Sequence, residues 1–467
     1  MKSLYFLALL FVAQGLSENI LVLCPMCSRS HKNIIEPTIE KLAARNHSVT
    51  IVSSFRTLMA SPNIRDIVVM EGFNYFSYKN PLDTRKHGPL GMIDRNFFKA
   101  VLEGCHLTYQ NQEFMKLLNT NFDLVIMDAF NHHCLQGFVH KLKAPVIWSM
   151  PLPAPPPFAM HFGNYLPPSF VPDPILTFGG KMNIFERLLN FVGSKMYWGV
   201  YFSCLGEHER IYKKYLGEDL PALADIESEV SLMLLNSHFS VNPPRPTMPD
   251  TVEIGGVHCR EGRPLPKELE QFILEADEDL PKNVRLYEWL PLQDILAHPK
   301  TKMFMTHGGL LSSQEAIYHA VPMVGIPLFC DQDLNIRHYT QAGIAVTLEI
   351  LTLEEEDVSS AINTVLNNPN YKNKVQEMSQ RFRDQPIAAI DKAVFWAEYV
   401  IRHKGASHMR SVARNLNFIQ YHCIDVFAII ILVTFCLFGV LAALILKVYS
   451  KIFANNEAAV EPKKKDL

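Results

Sequence analysis

The chain lacks a charge excess of either sign. Its 44 Lys and Arg against 47 Asp and Glu leave a formal net charge of −3, so nothing argues for nucleic acid as a partner. It also lacks a repeated metal-ligand spacing. Nine cysteines are scattered along 467 residues. Cys24 and Cys27 form a C-x-x-C, but without the basic or helical setting of a redox pair. They read as structural residues, with one or two disulfides allowed among the cysteines outside the C-terminal apolar run. No serine or cysteine sits in a nucleophile turn, which disfavours a hydrolase of the serine or cysteine type. Charge is absent altogether from 426–446, a run of 21 apolar or neutral residues bounded by Asp425 and Lys447.

What is present begins at the ends. Met1-Lys2, an apolar stretch over 4–13 and small residues up to Ser17 have the order of a signal peptide. The run 426–446 is long enough to cross a bilayer core about 30 Å thick. The lysines that follow, from Lys447 to Lys465, agree with a cytosolic C-terminus. Lys464-Lys465-Asp466-Leu467 resembles the dilysine signal of endoplasmic reticulum membrane proteins. The expected topology is type I, with the bulk of the protein in the lumen. There Asn46-His47-Ser48 is a sequon, with Asn46 as a glycosylation acceptor.

Between the ends, 48% hydrophobic residues supply sizeable cores. The segments 19–24, 48–52, 122–127 and 145–150 read as buried strands, and 31–45 as a helix with Ile35, Ile39 and Leu42 on one face and Pro37 early in it. This is a β-α-β unit. The stretch 151–174 carries nine prolines and reads as a long loop without regular structure. A second unit follows: strand 302–306, turn His307-Gly308-Gly309, helix 310–319 and strand 321–326. Helical patterns over 353–367 and 371–403 lead toward the apolar run. The fold class is α/β: two doubly wound domains facing each other over a cleft, plus one C-terminal transmembrane helix. Ligands in such folds lie beyond the carboxyl ends of the strands.

Four groups of residues fall at such ends. His307, Gly308, Gly309 and Ser312 open a helix N-terminus, where close backbone approach and free N–H groups suit a phosphate. Glu315, one turn on, suits the paired hydroxyls of a ribose. Asp331 and Gln332 suit sugar hydroxyls. His31 and Asp128 can meet in the cleft, and a histidine oriented by a buried aspartate is a general base near neutral pH.

The run from Trp289 to Gln332 contains Trp-Leu-Pro-Leu-Gln-Asp-Ile-Leu-Ala-His-Pro, Thr-His-Gly-Gly-Leu-Leu-Ser-Ser-Gln-Glu and Gly-Ile-Pro-Leu-Phe-Cys-Asp-Gln. It resembles the signature of the UDP-glycosyltransferases, the family that includes the UDP-glucuronosyltransferases, and most of all its insect members. The resemblance implies two Rossmann-like domains of the GT-B type. In that reading Trp289 stacks on uracil, His307, Gly308, Gly309 and Ser312 hold the diphosphate, Glu315 takes the ribose, and Asp331 and Gln332 hold the donor sugar. His31 is the base and Asp128 its partner. The reaction is inverting transfer from UDP-glucose or UDP-glucuronic acid to a hydroxyl of a small lipophilic acceptor, with no cofactor and no metal. The membrane is the other partner, and homo- or hetero-oligomers with relatives are compatible with it.

The resemblance also sets boundaries: signal peptide 1–17, N-terminal acceptor domain 18–242, linker 243–262, C-terminal donor domain 263–400, membrane-proximal segment 401–425, span 426–446 and tail 447–467. Two departures stand out. Leu292 occupies a place where the family carries glutamine, with Gln293 one residue later. Roughly fifty residues, a β-α-β unit at the start of the C-terminal domain, are expected to be missing between Ile273 and Val284. The alternative to an enzyme is therefore a catalytically silent regulatory partner of full-length relatives.

Overall fold

A computed structural model describes residues 17–71, 73, 80–88, 91, 95–275, 285, 287 and 289–458. Residues 1–16 of the expected signal peptide 1–17, the expected junction at 276–284 and the tail 459–467 with Lys464 and Lys465 lie outside the described residues.

The strands in chain order are β1 Asn19–Cys24, β2 Ser48–Ser53, β3 Ile64–Val68, β4 Leu124–Asp128, β5 Val146–Met150, β6 Leu232–Leu235, β7 Thr251–Glu253, β8 Phe304–Thr306, β9 Met323–Gly325 and β10 Ala345–Thr347. The helices used below are α1 Arg29–Ala44, α2 Arg95–Gln110, α3 Gln136–Leu142, α4 Ile184–Ser203, α5 Leu205–Leu216, α6 Leu292–Ala297, α7 Leu310–Tyr318, α8 Gln332–Ala342, α9 Glu355–Asn367, α10 Pro369–Arg383, α11 Ala389–Arg402 and α12 Ile424–Ala458.

Among the described residues, seven parallel strands form one sheet in the order β3-β2-β1-β4-β5-β6-β7, and three form another in the order β10-β9-β8. Parallel strands covered on both faces read as unbroken apolar runs, as Ile-Leu-Val-Leu does in β1. Alternate residues then serve opposite cores. Leu21 and Leu23 join Met127, Trp148 and residues of α2 to α5 on one face. Ile20 and Val22 join Ile35 and Ile39 of α1 on the other. The strand order reverses between β1 and β4, the switch point where such sheets bind ligands.

The second face has an unexpected member. Ala389, Ala393, Ala397 and Val400 of α11 are buried in the same core as β1 and α1. Their small side chains let α11 lie close against the sheet. Lys41–Asp391 at 2.5 Å and Arg45–Glu398 at 2.9 Å border that contact. The N-terminal core thus includes both β7, from the stretch expected to be a linker, and α11, from the stretch expected to be the C-terminal domain.

Several local expectations are corrected. The helix expected to begin at His31 begins at Arg29, capped by Ser28, so Pro37 lies in its middle. Burial of Ile34, Ile35, Ile39 and Leu42 holds the helix through that proline. The proline-rich loop contains one helical turn, Pro156–Met160, whose prolines occupy first positions that need no N–H donor. The helix expected over 371–403 is two, α10 and α11, separated around Pro386. The apolar helix α12 continues beyond 446, with 30 residues, Ile424–Phe453, apolar enough to cross a membrane. It belongs to a separate compact unit, 412–467.

Candidate active site

The β1–α1 connection delivers His31. Ser28 accepts the His31 backbone N–H at 3.4 Å and starts the helix, so the imidazole rises from the first turn at the carboxyl end of β1. Asp128 is the last residue of the neighbouring strand β4. His31 Nδ1 and Asp128 Oδ2 are 2.8 Å apart, with side-chain exposures of 13% and 1%. Burial pushes the Asp128 carboxyl upward. The charge of His31, its hydrogen bond, His132 and the Phe130 N–H outweigh that and hold it below the usual value. An ionised carboxylate only accepts, so Nδ1 carries the hydrogen and Nε2 is the basic nitrogen.

His132 was not singled out from the sequence. It is buried, its Nε2 accepts the Met26 N–H at 3.1 Å, and its Nδ1–H donates to the Phe130 carbonyl at 2.7 Å. It ties the loop bearing His31 to the loop bearing Asp128. Burial lowers its basicity, against the pull of Asp128 and Phe130. The neutral ring keeps both bonds.

The second half of the site follows β8. Gly308 has φ of +83°, and a Cβ there would stand 2.3 Å from Ile336 Cγ1 of α8. A Cβ on Gly309 would stand 2.5 Å from His307 Nε2. Position 308 therefore needs glycine, whereas a side chain at Gly309, with φ of −59°, would only have to displace the His307 ring. Helix α7 starts at Gly309 without a side-chain cap, which leaves its N-terminus open to an anion. Ser312 Oγ donates to the Gly309 carbonyl at 3.1 Å.

Glu315 lies a turn further on and is mostly enclosed. Burial raises its pKa to about 7, opposed by Arg260 and by a hydrogen bond from Gln293. Arg260 is itself held by Asp294 in a two-pronged pair at 2.6 and 3.0 Å. Gln293 accepts from the Arg260 N–H at 2.9 Å and donates to the His258 carbonyl at 3.0 Å. The displaced glutamine thus sits against Glu315, while Leu292 opens α6.

Asp331 precedes α8. Asn335 Nδ2 binds Asp331 Oδ2 at 2.8 Å and the Gly308 carbonyl at 3.1 Å, joining this loop to the glycine turn. Burial raises the Asp331 pKa; Asn335, its own backbone, His307 and His31 oppose it. Asp331 therefore lies within electrostatic reach of both histidines, one from each half of the site. Gln332 is buried, and its Oε1 accepts from the Leu328 and Phe329 N–H groups at 2.8 and 3.2 Å. Trp289 is 61% exposed. The Arg29 guanidinium, at the start of α1, lies 4.7 Å from its ring centroid. Asn46 is exposed, with φ of 69°, in the turn between α1 and β2.

Cys105 and Cys134 are joined by a disulfide that links α2 to the loop after β4. These cysteines and His208 lie close enough together to suggest a metal, but disulfide sulfurs are not thiolate ligands. Cys24 and Cys27 are buried free thiols.

Two parallel sheets with a site at the strand ends form an α/β fold of the GT-B type. Among solved structures, the glycotransferase of kitacinnamycin is similar in fold, with a TM-score of 0.53 at 16% identity over 84% of this chain and 100% of that one. The family described as UDP-glucoronosyl and UDP-glucosyl transferase matches residues 19–279 and 275–459. UDP-glucosyltransferase 2 of Dactylopius coccus is 33% identical over 93% of this chain and 94% of its own length. UDP-glucuronosyltransferase 2B15 of Homo sapiens is 31% identical over 88% and 91%. The chain belongs to the UDP-glucuronosyl and UDP-glucosyl transferase family, a family of transferases. The alignment with the Dactylopius relative spans 488 positions but takes in 93% of 467 residues, so roughly fifty positions have no counterpart here. The family match breaks at 275–279, where the sequence reading places the missing unit.

Proposed function

We infer that the chain transfers a glucosyl or glucuronosyl group from a UDP-sugar to a hydroxyl of a small lipophilic acceptor, with inversion. The observation that carries this reading is the 2.8 Å pairing of His31 with buried Asp128 at the switch point, facing Asp331 across the site. His31 Nε2 takes the acceptor proton, and Asp128 stabilises the imidazolium that forms. The acceptor oxygen attacks the anomeric carbon from the side opposite the leaving group. The bond to UDP breaks, and its electron pair leaves with the diphosphate.

His307, Gly308, Gly309 and Ser312 receive that diphosphate at the open N-terminus of α7, which favours negative charge without a metal. Glu315 accepts the ribose hydroxyls. Asp331 receives the sugar hydroxyls, and Gln332 keeps the loop in place through its amide oxygen. Trp289 offers a face to uracil. The insect-like signature favours glucose. A lumenal site is supported by the disulfide, which needs an oxidising compartment, and by the accessible turn at Asn46. We read the compartment as the endoplasmic reticulum, as part of the same proposal.

A second reading rests on a different observation. The C-terminal sheet has three described strands against seven in the other, and roughly fifty family positions are missing. A chain so shortened could serve as a silent partner of intact relatives. The experiment is an assay of the full chain in membranes with UDP-glucose and UDP-glucuronic acid against phenolic acceptors. Transfer that disappears in His31→Ala while donor binding persists supports the enzyme. Absence of both transfer and donor binding, with altered activity of a co-expressed intact relative, supports the silent partner instead.

A further inference from the structure

The loop that carries Asp331 runs into α8, and α8 has two working sides. Ile336 and Tyr339 belong to the C-terminal core. Asp333, Arg337 and Gln341 are spaced four residues apart and span about 80° of another side. Each of these three meets the N-terminal half. Arg337 donates to the Thr177 carbonyl at 2.9 Å and to Glu186 at 2.6 Å. Gly179 comes so close that a Cβ there would stand 2.9 Å from Gln341 Nε2. Asp333 accepts from Arg85 Nη1 at 2.6 Å. Arg85 lies on the short helix Pro81–Lys86, between β3 and β4. Its Nε and Nη2 donate to Glu349, just after β10, at 3.1 and 2.6 Å. One guanidinium thus joins two separate elements of the C-terminal half. Arg85 and Asp333 are 14% and 16% exposed, so salt screens the pair little. The hydrogen bond from Arg85 holds the Glu349 carboxyl below its usual pKa, against partial burial. On the near side of the same loop, Phe329 and Cys330 pack against the N-terminal core.

We propose that Arg85 is a positioning residue for transfer: by gripping Asp333 and Glu349 it sets α8, and with it Asp331, against the half that carries His31. This rests on the reading of His31 as the base and Asp331 as a donor-sugar residue. Those two residues come from different halves of the fold, so the geometry of attack depends on what joins the halves. The first turn of α8 transmits the grip, because Asn335 ties Asp331 to the Gly308 carbonyl. A misplacement of about 1 Å at the reacting atoms costs about 10²-fold in rate. Arginine suits the task, because its planar fork reaches two carboxylates at once, where lysine offers one point charge on a flexible stem. The nucleotide lies against residues of the C-terminal half in this reading. Arg85 therefore bears on turnover rather than on UDP affinity.

The test compares Arg85→Ala and Arg85→Lys with the unaltered full chain in membranes. Turnover is counted per UDP-binding chain, which removes differences in folding. Arg85→Ala is expected to lower kcat about 10²-fold with UDP affinity unchanged, and Arg85→Lys to recover part of that loss. Asp333→Asn together with Glu349→Gln should reproduce the loss, and adding Arg85→Ala to that pair should cost nothing further. A second readout needs no transfer. Spin-labelled amino acids encoded at Glu207 of α5 and Glu377 of α10, both exposed, report the distance between the halves. The distribution should be narrow in the unaltered chain, broad in Arg85→Ala and intermediate in Arg85→Lys. An unchanged kcat in Arg85→Ala overturns the proposal. So does a fall in UDP affinity as large as the fall in kcat, or an unchanged distance distribution. A chain that transfers nothing defeats the enzymatic reading, while the distance distribution still decides whether Arg85 holds the halves.

Discussion

The two sheets of this chain are unequal partners. The N-terminal sheet has seven described strands, two buried faces, a disulfide and a returning helix that closes one face. The C-terminal sheet has three described strands, and β8, one of its two edges among the described residues, is three residues long with Met305 40% exposed. An unpaired edge of that kind is a weak point in a sheet. Yet the glycine turn that follows β8 keeps its local geometry, because Ile336, Gln332 and Asn335 of α8 press against it. The local motif is thus retained where the sheet around it is reduced. The pair proposed as catalytic, His31 and Asp128, belongs to the well-supported half, and the residues proposed to hold the donor belong to the reduced one.

This contrast can be tested from both sides. His31→Ala removes the proposed base from the intact half, and transfer should fall by about 10³-fold with donor affinity unchanged; a parallel loss of donor binding would show that the halves are not separable. Replacing both Cys105 and Cys134 by serine should cost the N-terminal core about 2–4 kcal/mol, read as an earlier unfolding transition of that half alone in denaturant. Grafting the missing segment of an intact relative at 275–279 should raise donor affinity and leave the His31–Asp128 half unchanged, measured by UDP titration of both chains.

Glu315 gives a pH test of the reduced half. Its folded pKa, about 7, is above the usual 4.5, so the folded state binds the extra proton. Its contribution to stability is full below about 4.5 and is lost as pH rises through 7. If Glu315 binds the ribose as proposed, donor affinity should move the other way, weakening as pH falls through 7 and its carboxylate protonates. Glu315→Gln should flatten both curves and lower donor affinity about tenfold at pH 8, the scale of one charged hydrogen bond. The smallest effect is expected at the rim of the intact half. Glu398→Gln removes the partner of Arg45, and a half-exposed pair of this kind is worth less than about 1 kcal/mol.

Much of this was legible in the chain. Strands β1, β4 and β5 are short apolar runs between turn signals, and buried parallel strands read that way. His31 and Asp128 could be paired in advance because each follows an apolar run at its carboxyl end. The strand β3, Ile-Arg-Asp-Ile-Val, hid because an edge strand carries charge on its open side. The place of α11 was hidden because small apolar residues do not say which sheet they will meet. The contacts of Gln293, Gln332 and Arg29 depend on loops from different parts of the chain, and no periodicity encodes them.

The position of α11 has a bearing on biogenesis. Residues 389–402 complete a core whose first strand is 19–24. A ribosome releases the first strand long before the last helix, so one face of the N-terminal sheet stays uncovered through most of synthesis. The apolar helix α12 begins about twenty residues after α11 ends. Closure of the first domain and delivery of the anchor are therefore near-simultaneous events, and chains that stall before residue 389 should be recognised as unfinished by chaperones rather than stored as folded domains.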